Sequence, residues 1–413
     1  MNDETVDVLV IGAGPSGCVS ASYLINNGIN VKIVEKVKFP RYVIGESLLP
    51  RCMDHFEEVG LLDVLKKQNY EIKRGARFLR GNEVCNFDFS KKFTDGWDWT
   101  WQVPRAHFDN VLAKETQKKG VKIDFENEVI DIVFDGSDSK TTVKDKKGNI
   151  KYIHAKYIID ASGYGRVLPR ILDLKIPSAL PKHSSIFTIA KDINRPEGEE
   201  GTLITFDVVG LEVWLWVIPF SDGTTSIGFV GPTEFINSYK GSSSEMLEEM
   251  LNMSDFFKDR FKGVPHLFDP KIIQNFSTAV KQIYGDGYII TGNSGEFLDP
   301  IFSSGVTFAT ETGLLAAKLV TRIIKGEAID LEKEYVTPVE FGVDVFKSYV
   351  NEWYSGNLQK LFFHKPENPD VKEKICSILA GYVWDTKNPF ITKHNRIVQT
   401  VAHMIDLEKE AKE

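Results

Sequence analysis

Cysteine is scarce and scattered: the 413 residues hold four, Cys18, Cys52, Cys85 and Cys376. None stands at a paired spacing, which argues against a zinc site or a disulfide framework and fits a reducing compartment. No stretch stays apolar for the about 20 residues a membrane span requires. The N-terminus lacks a charged leader followed by an apolar run and a cleavage site, so a cytoplasmic location and no membrane span are expected. Charge of one sign is also missing in quantity. A formal net charge of −8 gives no support to broad nucleic-acid binding. There is no internal repeat and no low-complexity tract. What is present is 42% hydrophobic and 26% charged residues, the balance of a globular chain. At this length one core rarely suffices, so two or more sub-domains are expected.

The first informative segment runs from Val6 to Glu35. An apolar run (Val6, Val8, Leu9, Val10, Ile11) meets Gly12-Ala13-Gly14-Pro15-Ser16-Gly17, a helical stretch follows to Asn27-Gly28, and a second apolar run ends at Glu35-Lys36. Strand, glycine turn, helix and strand form the context in which a GxGxxG pattern binds a dinucleotide. Gly12 permits the tight turn, Gly14 lets the backbone approach a pyrophosphate, and Gly17 lets the helix pack closely on the strand. Free N–H groups and the positive dipole end at the helix N-terminus then favour the phosphates. Glu35 stands where a carboxylate accepts hydrogen bonds from a ribose. Pro15, Ser16 and Lys36 complete this candidate nucleotide set.

Two later segments, Tyr157-Ile158-Ile159-Asp160-Ala161-Ser162-Gly163 and Gly287 to Ser294, are short apolar strands running into small-residue turns. The second is followed by Phe297-Leu298-Asp299-Pro300 and a long helical stretch. Together with the fingerprint these segments resemble the FAD-binding domain shared by aromatic hydroxylases, geranylgeranyl reductases and flavin-dependent halogenases. The resemblance implies FAD lying across several separated strand ends, near Arg41, Arg105, Asp160, Ala161, Gly163, Gly292 and Asn293. Family members usually carry Gly-Asp where this chain has Gly292-Asn293; asparagine keeps hydrogen-bonding capacity and loses the charge. The implied fold is α/β: a Rossmann-like FAD-binding domain (residues 1–70, 105–169 and 283–330), a mixed β-sheet substrate domain of the aromatic hydroxylase type (71–104 and 170–282) and a C-terminal helical region (331–413). No second GxGxxG lies between a strand and a helix. Electrons are therefore expected from a transiently bound nicotinamide or from a separate flavin reductase.

Four segments resemble the halogenase branch in particular. Phe39 to Pro50, FPRYVIGESLLP, matches the segment after the second strand in halogenases of phenols and pyrroles. In Glu71-Ile72-Lys73-Arg74-Gly75-Ala76 the lysine two residues before Gly-Ala matches one held essential there. The resemblance implies a flavin C4a-hydroperoxide that turns halide into hypohalous acid. A buried lysine with a lowered pKa could hold that acid by hydrogen bonds or be halogenated by it. Trp214-x-Trp216-x-Ile218-Pro219 matches the tryptophan motif of the branch, whose implied role is to wall organic substrate off from the flavin. As strand geometry alone, Trp214, Trp216 and Ile218 face one way and Val213, Leu215 and Val217 the other, both sides apolar, so the strand must be covered on both faces. Two indoles in line suggest a flat panel. Last, Phe297-x-x-Pro300-x-x-Ser303-x-Gly305 precedes a helix-spaced run, Val306 to Ile324. Ser303 or Ser304 can cap that helix, and its free N–H groups, with Gly305, suit an anion. The reduced flavin edge and a bound halide both qualify.

Alternating segments at Ser185 to Lys191, Thr202 to Val209 and Thr225 to Val230 suggest a sheet above the flavin. Trp97, Trp99 and Trp101 form a second indole row, expected to pack against it. From about Glu332 the pattern is helical, with Phe346, Tyr349, Trp353, Leu358, Phe362 and Phe363 apolar; it fits a pocket cap, a dimer face or an extra core equally. The leading expectation is a halogenase-like FAD enzyme using O2 and halide on a small aromatic or carrier-bound substrate, an electron-rich phenol or pyrrole. A monooxygenase, dehydrogenase or C=C reductase on the same scaffold is the alternative, and a flavin-binding protein without catalysis the third.

Overall fold

The computed structural model describes residues 3–411. The apolar run at the N-terminus forms strand Asp3–Ile11, whose last four residues are buried. It lies inside an eight-stranded sheet whose main order is Tyr284–Gly285, Tyr288–Ile290, Ile150–Asp160, Asp3–Ile11, Val31–Glu35, Lys122–Phe125. From Tyr288–Ile290 to Lys122–Phe125 every neighbour is parallel, and in the middle of the sheet Tyr288–Ile290, the last four residues of Ile150–Asp160 and Val31–Glu35 are buried throughout, as coverage on both faces requires. Asn127–Asp135 and Asp138–Asp145 add an antiparallel ribbon beside Ile150–Asp160. Helix Pro15–Asn26 packs against helix Ser304–Ile324 through small residues. Ser20 Oγ donates to the Gly313 carbonyl at 2.8 Å, and a Cβ on Gly313 would stand 2.6 Å from Ser16 Oγ.

A second, seven-stranded mixed sheet runs in the order Lys271–Ile273, His183–Lys191, Thr224–Pro232, Trp214–Pro219, Thr205–Val208, Gly75–Arg80, Glu83–Asp88. Its tryptophan strand obeys the two-faced rule. Val213, Leu215 and Val217 pack beneath helix Ser243–Leu251 with Ile227 and Phe229, while Trp214, Trp216 and Ile218 join the main core with Phe187 and Phe206. Lys73 belongs to neither large sheet. Its strand, Glu71–Lys73, pairs only with Thr100–Gln102, which places Trp101 opposite Ile72 and leaves Trp97 and Trp99 outside a strand. The indole row is an edge-to-face stack, with neighbouring rings 84° and 85° apart.

The C-terminal helices form an extra core layer. Trp353, near the end of helix Thr337–Tyr354, and Phe362, in helix Asn357–Phe363, pack their rings 5.5 and 4.9 Å from Phe78 of the second sheet. All six apolar residues of the series from Phe346 to Phe363 are buried, as a helix with one face on a core requires. Tyr354 reaches further, onto the tryptophan strand itself.

Candidate active site

The nucleotide end is built from backbone. Gly12 holds φ +100°, and a Cβ there would lie 2.6 Å from the Ala161 carbonyl oxygen; one on Gly17 would lie 1.9 Å from the Gly12 oxygen. Only glycine lets the first turn, the first helix and the Ala161 turn meet this closely. Glu35 is pinned beside them: its Oε2 accepts from Ala13 N at 2.8 Å and its Oε1 from Val37 N at 3.0 Å. Asp160 works from behind. Its carboxylate takes Ser162 N, Leu168 N and Ser294 Oγ at 2.7 to 2.9 Å, shaping the turn that carries Ala161 and Gly163.

The middle is an arginine clamp. Arg105 gives Nε and Nη2 to Asp109 and its Nη1 to the carbonyls of Ile44 and Gly45, at 2.8 to 3.1 Å. Arg41 adds a 2.7 Å bond to the same aspartate. The clamp fixes the segment carrying Glu46 and Ser47, and Gly45 permits it, since φ is +111° and a Cβ would meet Arg105 Nη1 at 2.9 Å. Across from it, Ser303 adopts a left-handed φ of 55° between the turn Pro300–Phe302 and helix Ser304–Ile324. The expected cap is absent: the helix has no side-chain cap hydrogen bond. Left-handed geometry at Ser303 replaces the extended backbone from which a side chain normally caps.

At the far end stand the indoles. Trp214 Nε1 donates to Tyr354 Oη at 3.1 Å, and Tyr354 donates to Asp299 Oδ2 at 2.9 Å. Trp216 Nε1 donates to Ser226 Oγ at 3.1 Å. Each buried N–H thus has a partner, as indole burial demands. The flat panel is corrected: the rings are 6.0 Å apart and tilted by 51°, because each turns toward its own acceptor. Gly228 directly opposes Trp216, and a Cβ there would sit 2.4 Å from the indole.

One cavity of about 300 Å³ joins these ends. Its wall includes Gly12, Gly14, Pro15, Ser16, Glu35, Arg41, Arg105, Ala161, Gly163, Gly292, Asn293, Pro300, Ser303 and Gly305, and also Trp214, Trp216 and Ile218. Residues 5–197 match the FAD binding domain family. A flavin-dependent halogenase of Armillaria mellea is 30% identical over 82% of this chain and 69% of its own length. A 1H-pyrrole-2-carbonyl peptidyl-carrier protein brominase of Pseudoalteromonas luteoviolacea is 26% identical over 92% of this chain and 93% of its own. The tryptophan 2-halogenase of Chondromyces crocatus is 30% identical over 85% of this chain, which spans 66% of that protein's length. The crystal structure of a flavoprotein/dehydrogenase from Cytophaga hutchinsonii superimposes with a TM-score of 0.97 at 50% identity, covering 98% of this chain and all of the other. The chain belongs to the flavin-dependent halogenase-like family.

Membership makes the protein an FAD-dependent oxidoreductase. Its residues fit the cofactor: the glycine contacts clear a backbone-lined cradle, and Glu35 is held at the second strand end. Six residues singled out in the sequence do not line the cavity of this halogenase-like flavoprotein. Lys36 is on the surface, where it pairs with Glu128 at 2.9 Å. Asp160 is consumed by its turn. Ser304 is buried in the first helical turn beneath Ser303. Pro219 follows Ile218 on the strand and so points to the other face; its carbonyl accepts Gln102 Nε2. Lys73 donates to Ser47 Oγ at 2.8 Å and to the Leu48 carbonyl at 2.9 Å, one side chain behind the wall that Ser47 helps form. Gly17 is likewise off the wall, as its packing role requires. Burial lowers the Lys73 ammonium from 10.5 to about 7.

Conversely, Tyr42, Glu46, Ser47, Tyr164 and Phe206 line the cavity without having been singled out individually. Tyr42, Glu46 and Ser47 lie within the quoted Phe39 to Pro50 segment, whose shared pattern was the available signal. Tyr354 had none, being 140 residues from its indole partner. Among the described residues no helix is long and apolar enough to cross a membrane.

Proposed function

We propose that this enzyme halogenates an electron-rich phenol or pyrrole, free or carrier-bound, with FAD supplied as reduced flavin by a separate reductase. The observation that carries the proposal is the single cavity running from the dinucleotide turn to the Trp214–Trp216 panel. FAD when bound would supply, from its reduced form and O2, the oxidising equivalents that convert halide to an electrophilic halogen. The backbone around Gly12, Gly14 and Gly292, with Glu35 and Asn293, holds the cofactor, and the partition of the chain into cofactor and substrate portions follows the residue ranges given above. Trp214, Trp216 and Ile218 keep the organic ring from the flavin. The N-terminus of helix Ser304–Ile324, beside Ser303 and Gly305, faces an anion. Lys73 is assigned to the electrophile: charged, it donates hydrogen bonds to hypohalous acid; neutral, its amine takes up the halogen and water leaves. A pKa near 7 makes both forms available, and its bond to Ser47 puts it next to the cavity.

The test is incubation with FAD, NADH, a flavin reductase, O2 and bromide across a panel of phenols and pyrroles. A brominated product by mass spectrometry is expected from wild type and not from Lys73→Ala. Wild-type and variant proteins giving equal bromination would remove Lys73 from the mechanism. A second possibility, a dehydrogenase, monooxygenase or C=C reductase, is favoured by the position of Lys73 behind Ser47. It predicts NAD(P)H oxidation that a substrate stimulates and bromide leaves unchanged.

A further inference from the structure

Glu46 is an ionisable side chain of the cavity wall for which the scheme above has no use. It is 1% exposed, and its Oε2 has no hydrogen-bond partner. Buried carboxylate oxygens are almost always bonded, because leaving one unpaired forfeits its hydration without replacing it. The groups facing it are few and come from three elements. Tyr42, four residues earlier, donates to Oε1 at 3.3 Å. Ser226, on strand Thr224–Pro232, faces the carboxyl and opposes the rise in its pKa, while its oxygen receives the Trp216 N–H. Arg105, on helix Arg105–Lys118, acts on it through charge alone, since its guanidinium is spent on Asp109 and on the carbonyls of Ile44 and Gly45. The clamp therefore fixes the backbone just before Glu46 and leaves one carboxylate oxygen unfilled, beside the aromatic wall made by Tyr42 and Trp216.

We propose that Glu46 is a ligand-binding carboxylate that accepts a hydrogen bond from an N–H or O–H group of a ring seated in the cavity against Tyr42 and Trp216. Two rings carry such a donor, the flavin and a phenol or pyrrole substrate; the substrate source rests on the function proposed above, the flavin source does not. Burial pushes the Glu46 carboxyl up to about 7, so the acceptor is deprotonated above that pH and protonated below it.

Glu46→Leu and Glu46→Gln test the proposal in purified holoprotein. Dissociation constants for phenol and anisole are read from perturbation of the flavin absorbance, and that for FAD from fluorescence quenching, so no turnover is needed. If the ring is the substrate, wild type at pH 8 binds phenol about tenfold tighter than anisole, a preference that Glu46→Leu removes and that falls below pH 7, with FAD affinity unchanged. If the ring is the flavin, Glu46→Leu weakens FAD about tenfold with no substrate present and leaves the phenol-to-anisole ratio alone. Glu46→Gln, which keeps an acceptor for Tyr42, should show a smaller change of the same kind and stands in if the leucine variant does not fold. Constants unchanged within twofold in a folded variant overturn the proposal and leave Glu46 only its bond to Tyr42. A protein that binds phenol in this way yet halogenates nothing would refute the proposed function and not this inference.

Discussion

The two ends of the cavity are made differently. At the nucleotide end, main-chain atoms from three turns approach until only glycine fits, and Glu35 is fixed by two backbone N–H groups. At the panel end, side chains from distant segments hold one another: Trp214 on Tyr354 on Asp299, and Trp216 on Ser226. Burial pushes the Asp299 carboxyl up to about 7, with the bonds from Ile301 N and Tyr354 opposing the rise. Backbone walls present the same atoms whatever the neighbouring side chains are, which suits a common cofactor. A wall of interlocked side chains can be re-cut by substitution, which suits substrates that differ from one relative to the next.

Crowding one glycine at each end is the sharpest way to break this contrast. Gly17→Ala drives a Cβ against the Gly12 carbonyl oxygen, 1.9 Å away, where only backbone can yield. It should weaken FAD binding by about 10- to 100-fold, equivalent to the about 1–3 kcal/mol of overpacking, read by fluorescence titration. Gly228→Ala drives a Cβ against the Trp216 ring, 2.4 Å away, and against Phe187 Cβ, 2.5 Å away, both atoms of the second sheet and neither of the cofactor cradle. Stability should fall by about 1–3 kcal/mol in urea melts while FAD affinity holds within about threefold. Equal FAD losses in the two variants would erase the distinction between the ends.

The smallest effect concerns Lys73, just outside the panel end. Its pKa is lowered by folding, so between about 7 and 10.5 the native state binds fewer protons than the unfolded chain and stability rises with pH. Lys73→Met should lack that rise, so its stability relative to wild type should drop by about 1 kcal/mol between pH 7 and 8. Parallel pH profiles would mean that the ammonium is not desolvated.

Legibility followed the same division. The glycine turn, the helix after it and Glu35 could be read from one 30-residue stretch, because strand, turn and helix are contiguous and each glycine answers to a local steric demand. The alternation of Trp214, Trp216 and Ile218 was equally local, since side chains on a strand must alternate. The tilt of the indoles was not, because it depends on Tyr354 and Ser226. Ser303 failed as a cap for a related reason: its backbone conformation is set by the turn between Pro300 and the helix, which side-chain type alone does not reveal. Lys73 could be identified by its spacing to Gly75-Ala76, but not its seclusion behind Ser47, which follows from the pairing of Glu71–Lys73 with Thr100–Gln102 and the isolated bridge between Ser47 and Gln102.

Periodicity determined the two faces of the tryptophan strand and short-range sterics the glycine turn of a dinucleotide site, while the family and FAD followed from the resemblance of the quoted motifs. Tertiary structure alone decided which charges meet the cavity. Lys36, Asp160 and Lys73 fell outside its wall and Glu46 fell within it, because a charged side chain goes wherever folding offers it a partner. At Glu46 the fold offers a partner to one carboxylate oxygen and leaves the other open.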